Sequence, residues 1–439
     1  DLKLKILLAL KVRFQMKKIK PILLIEFNSP VLSGGNRRLY EILRNGKNEG
    51  IEYIVFTDYS SCKNAVKMFP DYLEVLSNYT FYLSNFIEKA SSLFGLKHFF
   101  FCRKILLSAL LVSKIAIDEN ADLIVGGEEL QSILISCIAG KLSSKPWTAI
   151  FQPTTYLLQP SKRTWGLNIF NILRFLGEKL EGDISMITKI GIAIGTLTQL
   201  KTAEKSLMLS VSASVAEELK PLNPKIKFYS IEPGNGIEQK KFDQKQKRGQ
   251  SYDAIFFARL IPEKGFLDLP KIWRYVVKKE PTAQLAVAGI TEDQSYLKKF
   301  LEIVHNEGLD ANITFLGKLG ETALINLVKA AKFLLYPSLV DSFSLVTLES
   351  LACGTPVIAY DIPALRYNFG KCEAVIRCPV KDKSSMAEAV LTLIKNKELR
   401  QSLSLVAKKY SESYTWQNVA KAEKAAYFEV IRYSKRKLT

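Results

Sequence analysis

Histidine is the scarcest chemistry-bearing residue in this chain. Only His98 and His305 occur among 439 residues. Two histidines leave no His-based metal cluster and no obvious Ser-His-Asp triad. His98, between Lys97 and Phe99 in a helical, aromatic-rich stretch, reads as a packed helix residue rather than a catalytic one. Cysteine excludes as much. The six cysteines are scattered singly, without a CxxC pair, and Cys372 with Cys378 has no metal-ligand spacing. Free thiols in a reducing, cytoplasmic compartment are the plain reading. Long apolar runs are also missing. Residues 184–200 are apolar but contain Lys189, and they fall short of the ~20 residues of a membrane span. The opening DLKLKILLALKVRFQ is interrupted by Lys3, Lys5 and Lys11 and lacks a small-residue cleavage site, a poor fit to a signal peptide. Residues 1–15 are read as a basic, apolar extension: either amphipathic in its own right, or upstream of a core that begins at Met16.

What the chain does have is bulk and positive charge. Hydrophobic residues make up 48%, enough for a large core. At 439 residues the chain is too long for one ordinary core and suits two domains. The formal charge of +19 points to acidic partners: nucleotides, nucleic acid or an anionic membrane face. Nucleic acid ranks last, because no recognition motif or aromatic-basic platform accompanies the charge.

Buried strands are expected at Pro21–Asn28, Glu52–Asp58, Asp122–Gly127, Trp147–Gln152, Ser206–Ser212 and from Phe228, each an apolar run bounded by turn residues. A helical pattern covers Asn85–Asp118. After the first strand comes SPVLSGGNRRLYEILRNG, in which Gly34 and Gly35 allow a tight turn and close backbone approach, and Asn36 is placed to cap the next helix. Glycine loop at a cleft and ordinary strand-to-helix turn are both open readings. Gly126, Gly127, Glu128 and Glu129 end the third strand, where open α/β sheets bind ligands; the glutamates equally suit the start of a helix. In SKRTWGLNIFNILRFLGEKLEGD, Trp165, Ile169, Ile172, Leu176 and Leu180 share a helical face beside Lys162, Arg163, Arg174 and Lys179. A helix lying on an anionic membrane and a surface helix with a core-facing stripe both fit. The polar, basic QKKFDQKQKRGQSYD reads as an inter-domain connection. Strands at Ala254–Ala258, Gln284–Ala288, Ile313–Leu316, Phe333–Tyr336 and Ala374–Cys378 then alternate with helices, among them Phe266–Lys279 and Glu321–Ala331. The fold class is therefore α/β, with two doubly wound parallel-sheet domains facing across a cleft. The boundaries are 1–15, extension; 16–236, first domain; 237–250, linker; 251–415, second domain; and 416–439, a last amphipathic helix placed to cross back to the first domain.

The chemistry gathers in YPSLVDSFSLVTLESLACGTPVIAY, Tyr336–Tyr360. Asp341 and Glu349 bracket a loop and the first turns of a helix. Ser342 and Ser344 lie where that helix begins, so free N–H groups and the positive helix end collect there. Gly354, Thr355 and Pro356 close the helix. Upstream, Arg259 and Lys264 sit in a loop leaving a strand, with Gly265 behind them. An arginine fork and a lysine point charge suit a diphosphate, while carboxylates accept hydrogen bonds from sugar and ribose hydroxyls.

These pieces resemble a known family. ARLIPEKG, FLGKL and DSFSLVTLESLACGTPVIA look like the donor-binding half of retaining GT-B glycosyltransferases of family 4, also called group 1. LSVSASVAEEL, EPGNGIEQKKF, the Gly34-Gly35 loop and YTWQNVAKAEKAAYF are similar to further parts of it. The resemblance implies that Arg259 and Lys264 hold the donor diphosphate, that Glu349 binds the ribose and that Asp341 meets the transferred sugar. It places Ser342 and the backbone N–H groups around Phe343, Ser344 and Leu345 against phosphate and sugar. Gly317 and Lys318 fall near the base, and Gly34 and Gly35 approach the donor from the other domain. It implies no metal or other cofactor.

Three positions depart from the family pattern. Asp341 stands where glutamate is usual, Ser344 where glycine is usual, and Gln152 where histidine is often found. The reading is thus a metal-independent, retaining hexosyltransferase that uses a nucleotide sugar (a UDP- or GDP-sugar). Its acceptor is a glycan or lipid-linked glycan, with peripheral placement at the cytoplasmic membrane face through residues 162–181. The alternative is a GT-B protein of weak or no activity that binds nucleotide sugar or glycan.

Overall fold

Two parallel sheets carry the chain. The structure, a computed structural model, describes residues 18–26, 34–83, 97–127, 129–152, 186–243, 252–291 and 293–438. The first sheet holds β1 (Pro21–Leu24), β2 (Ile54–Thr57), β3 (Thr80–Leu83), β4 (Leu123–Gly127), β5 (Trp147–Phe151), β6 (Leu207–Ser210) and β7 (Lys227–Ser230) in the order β3-β2-β1-β4-β5-β6-β7. The second holds β8 (Ala254–Phe257), β9 (Leu285–Ala288), β10 (Ile313–Gly317), β11 (Phe333–Tyr336), β12 (Val357–Tyr360) and β13 (Val375–Cys378) in the order β10-β9-β8-β11-β12-β13. Most central strands are apolar throughout and buried on both faces, as strands covered by helices on each side must be. Both sheets reverse direction after their first strand, between β1 and β4 and between β8 and β11. Each reversal opens a crevice beyond the carboxyl ends of the strands.

The sequence reading passes over β3. It is an edge strand with exposed Phe81 and Leu83, held by pairing with β2 from Ile54↔Thr80 to Thr57↔Leu83. A half-exposed edge of four residues has no continuous apolar run to betray it. The expected helix at 85–118 is described from Lys97 to Asp118. The expected helix at 266–279 opens as a 3-10 turn, Phe266–Asp268, and becomes α-helical over Leu269–Val277. Asn36 does not cap its helix. The helix begins two residues earlier and runs Gly34–Gly46, and the Asn36 amide instead reaches Met68 Sδ at 3.5 Å. The extension 1–15 and the apolar, basic stretch 162–181 lie outside the described residues. Among described residues no helix is long and apolar enough to cross a membrane.

The connection expected at 237–250 is docked over its described part. Ile237 N donates to Tyr414 O at 2.8 Å and Ile237 bridges Thr415 in parallel. A short helix follows over Gln239–Phe242, and Phe242 is buried in the core of the second sheet. The outgoing and returning crossings therefore run side by side. The returning chain becomes the helix Trp416–Leu438, whose Val419, Ala426, Tyr427 and Val430 share one core with Leu23, Tyr53, Val55 and Leu209 of the first domain. Arg38, fully buried, reaches both crossings. Its Nε donates to Gly234 O at 2.7 Å, and its Nη2 pairs with Glu423, which also accepts from the Tyr427 hydroxyl.

Candidate active site

The second sheet's crevice is built by two loops that touch. After β8 the chain runs exposed Arg259, buried Leu260, then a turn at Pro262–Lys264 closed by Gly265. Gly265 has φ +72°, and a Cβ there would lie 1.8 Å from Pro337 O in the loop leaving β11. Only glycine satisfies both demands. Gly265→Ala is expected to cost at least about 1–2 kcal/mol from the left-handed conformation alone, more with the clash. The melting temperature should fall by several degrees, at roughly 2–4 °C per kcal/mol for domains of this size.

That contact delivers Lys264 to Asp341. Their Nζ and Oδ2 are 3.1 Å apart, both side chains being mostly buried, and Lys264 Nζ also donates to Val340 O at 3.0 Å. The Tyr336 hydroxyl donates to the same Oδ2 at 2.8 Å, and Ser342 N donates to Oδ1 at 3.1 Å. Burial pulls the Lys264 ammonium down, but Asp341 and then Tyr336 outweigh it and hold the group well above an ordinary lysine. The Tyr336 phenol is pushed up to about 12 by burial and next by Asp341. Asp341 keeps lone pairs for a further donor, since a carboxylate offers about four acceptor sites.

Ser344 opens the next helix, Leu345–Ala352, in a left-handed conformation at φ +73°. A residue that carries a Cβ rarely sits there. Its Oγ accepts from Thr347 N at 3.4 Å and lies 2.8 Å from Thr347 Oγ1. The carbonyl of Ser342 accepts from Ser214 Oγ of the first domain at 2.9 Å, so the loop is tied across the cleft. At the helix end Gly354, φ +75°, turns the chain into β12, with Gly354 N on Leu351 O and Thr355 N on Ser350 O, both at 2.9 Å.

One turn into that helix, Glu349 accepts from Arg37 Nη1 at 3.0 Å. Arg37 belongs to the Gly34–Gly46 helix of the first domain, and its Nη2 also lies 3.6 Å from Glu321 Oε1. Burial raises the Glu349 carboxyl, and Arg37 opposes that rise. Two cavities flank this region. One of about 460 Å3 is lined by Arg259, Gly289, Tyr296 and Lys318. The other, about 550 Å3, is lined by Arg37, Lys318, Glu321 and Glu349. Phe257, Lys318, Leu319 and Leu324 are shared by both. Gly317, φ +64° with open space around it, turns the chain at Lys318.

The sequence-derived residues thus fall into clusters. Lys264, Asp341, Ser342 and Ser344 meet at the joined loops. Arg259, Gly317 and Lys318 surround the first cavity or adjoin it. Glu349 faces the second. Gly34 approaches the site from across the cleft: a Cβ there would lie 3.0 Å from Leu345 Cδ1. Gly35 follows it in the first turn, so the pair opens a helix rather than forming a separate loop. Gln152 lines a cavity of about 40 Å3 at the first sheet's crevice, with Glu26, Gly126, Gly127 and Glu129. There Glu26 accepts from Ser132 Oγ at 2.7 Å and from Gln131. His305 lies apart, exposed, 3.4 Å from Asp310. Sequence reasoning missed Arg37, Tyr336 and Glu26 as site residues. Arg37 lies two residues past the Gly-Gly pair, and Tyr336 and Glu26 lie at or just past strand ends, the position that signals a crevice. Among the described residues no group of three metal-ligating side chains converges.

Comparison with known proteins places this geometry. Residues 237–410 match the family model described as glycosyl transferases group 1. An uncharacterized glycosyltransferase of Methanocaldococcus jannaschii is 26% identical over 243 residues, 52% of this chain and 61% of the relative. The glycogen synthase of Mycobacterium tuberculosis is 25% identical over 233 residues, 52% of this chain and 55% of the relative. The alignments thus span little more than half of these relatives. The Anabaena protein HepE in complex with UDP superposes with a TM-score of 0.64 at 15% identity, covering 94% of this chain and 100% of that one; HepE is also known in complex with UDP-glucose. The chain has the GT-B fold: two Rossmann-like domains facing across a cleft.

Proposed function

We propose that this protein is a retaining, metal-independent glycosyltransferase that moves a hexose from a nucleotide sugar to a glycan or lipid-linked acceptor. The observation that carries the reading is the Lys264–Asp341 pair, 3.1 Å apart, at the switch point of the domain that matches the group 1 model and beside the start of the Leu345–Ala352 helix. The nucleoside lies along the cavities at Lys318, with its ribose hydroxyls on Glu349. The diphosphate spans Arg259, Lys264 and the N–H groups of Phe343, Ser344 and Leu345. As the anomeric carbon–oxygen bond breaks, the electron pair goes to the diphosphate, and fixed cations with a helix start stabilise the charge without reorganising. The acceptor hydroxyl attacks from the same face, and its proton passes to the departing phosphate oxygen. Gln152 serves as a hydrogen-bonding group for a sugar hydroxyl, since an amide does not shuttle protons. The similarity to a glycogen synthase and to HepE, which binds UDP and UDP-glucose, supports the donor class. A lipid-linked acceptor at an anionic membrane face accords with the charge of +19.

The test is nucleoside diphosphate release from a panel of UDP-, GDP- and ADP-sugars with EDTA present. Release from one donor is expected, undiminished by EDTA and lost in Glu349→Ala. If no donor is turned over and none raises the melting temperature, the reading falls. If a donor stabilises the fold but is not turned over with any glycan or lipid-linked acceptor, the protein binds nucleotide sugar without transferring it.

A further inference from the structure

Glu349 is asked to do something its surroundings oppose. To receive hydroxyl hydrogen bonds as a strong acceptor it must be ionised, yet its side chain is only 22% exposed, and burial favours the protonated form. Its own domain does not solve the problem. The second domain offers Glu321 nearby, a like charge that makes ionisation harder. Lys241, on the segment that crosses between the domains, pairs with Glu321 at 2.9 Å and favours the Glu349 carboxylate less than Arg37 does. Glu41 and Arg44 of the Gly34 helix, with Asp71, Glu238 and Lys318, complete the charged wall of the second cavity, and Cys353, which caps the Leu345–Ala352 helix, lies one turn beyond Glu349. Among the described residues, the cation within ion-pair distance of Glu349 is Arg37, which comes from the first domain and is itself only 16% exposed.

We propose that Arg37 is the positioning residue for Glu349: it keeps that carboxylate ionised and aimed, and so makes a donor-binding group of one domain depend on closure against the other. The proposal rests on the donor reading of Glu349 given above. The geometry supplies the means. Arg37 sits between two carboxylates, Glu349 at 3.0 Å and Glu321 at 3.6 Å. Its planar fork of five donors can keep Glu321 and one Glu349 oxygen while the other oxygen receives a hydroxyl. Closure is set by neighbours of the same interface, Gly34 on Leu345 and Ser214 on Ser342. When the domains part, Arg37 leaves, and Glu349 loses its nearest counter-charge and its orientation. Donor binding and domain closure then favour each other, as linkage requires.

The sign of the pH dependence follows. Glu349 is raised in the folded protein. The stability gained from its protonated form is full below the ordinary glutamate value, about 4.3, and is lost as pH rises through the folded-state value. Removing Arg37 moves that window upward. The first experiment uses no nucleotide: melting temperatures of wild type, Arg37→Ala, Glu349→Gln and the double variant from pH 5 to 8. In the Arg37→Ala background, Glu349→Gln should become increasingly stabilising as pH rises; with Arg37 present the same trend should be smaller and complete at lower pH, and Arg37→Lys should largely restore the wild-type window.

The second experiment measures binding of the preferred nucleoside diphosphate and donor kinetics. Arg37→Ala should raise the donor KM about 10- to 100-fold, the effect of weakening a charge-assisted acceptor. It should leave kcat at saturating donor nearly unchanged and shift the acid limb of binding to higher pH. No coupling in the nucleotide-free cycle overturns the proposal whatever the ligand. Coupling with wild-type donor KM and pH profile in Arg37→Ala overturns the donor role. Coupling in a wild type that binds no nucleoside diphosphate overturns the functional reading, and the donor role with it.

Discussion

Lys264→Ala should lower kcat/KM by about 10²- to 10³-fold, the usual loss when one fixed donor is removed from a developing negative charge. The effect should fall mainly on kcat, because the ammonium matters most when the leaving diphosphate gains charge. Lys264→Arg is a sharp companion. It keeps the charge, but its planar fork has to fit where Val340 O and Asp341 Oδ2 accept from one point at 3.0 and 3.1 Å. It should recover part of the affinity for nucleoside diphosphate and little of the rate. Steady-state release of nucleoside diphosphate measures both. If Lys264→Ala turns over within threefold of wild type, Lys264 is a structural partner of Asp341 and the diphosphate is held elsewhere. The pair also predicts an alkaline limit. Lys264 is raised in the folded state, so its stabilising contribution is full below the ordinary lysine value near 10.4. It is lost as pH rises through the folded-state value. The Lys264→Ala protein should lack that limb of its stability profile.

Arg38→Met should be the most destabilising single change away from the site, at about 3–5 kcal/mol, the cost of stranding one member of a buried pair. Arg38 has no exposed surface, and Glu423 is 1% exposed. Without the guanidinium, Glu423 keeps only the Tyr427 hydroxyl and, at 3.5 Å, that of Tyr53. Urea unfolding gives the magnitude. Limited proteolysis should show the Trp416–Leu438 helix released first, because the same guanidinium also holds Gly234 O. Arg38→Met with Glu423→Leu should be less destabilising than Arg38→Met alone, since no charge is then left buried. An additive double variant would show that the two side chains contribute independently.

How legible was all this? The central strands were, because a strand buried on both faces is a continuous apolar run: β11 has the bounds Phe333–Tyr336 that the sequence suggests. The helix start at Ser344 and the stop at Gly354 were legible for the same kind of local reason, a cap and a left-handed turn. Lys264 and Asp341 were read as parts of one site because a cation suits a diphosphate and a carboxylate suits sugar hydroxyls. What stayed hidden is carried by pairs far apart in sequence. Arg37 and Glu349 are separated by 312 positions, and Arg38 and Glu423 by 385. Two adjacent arginines after a Gly-Gly pair look alike in the sequence. One is buried against the returning helix and the other reaches over the cleft, and only their places on successive faces of the Gly34 helix tell them apart. β3 was hidden for the opposite reason: its stability comes from a neighbour, and its own residues stay half in water.

The side-by-side crossings at Ile237 and Thr415 bear on how the chain is made. The first domain is discontinuous: its core needs Val419, Ala426, Tyr427 and Val430, and its buried arginine needs Glu423. During synthesis, which delivers the chain from its amino end, the second domain has all of its strands before those residues emerge. It can therefore finish folding while the earlier-made domain still waits with an open face and an unpaired Arg38. Translation order and folding order are inverted, and a nascent chain halted before residue 416 should present a settled second domain on an unfinished first.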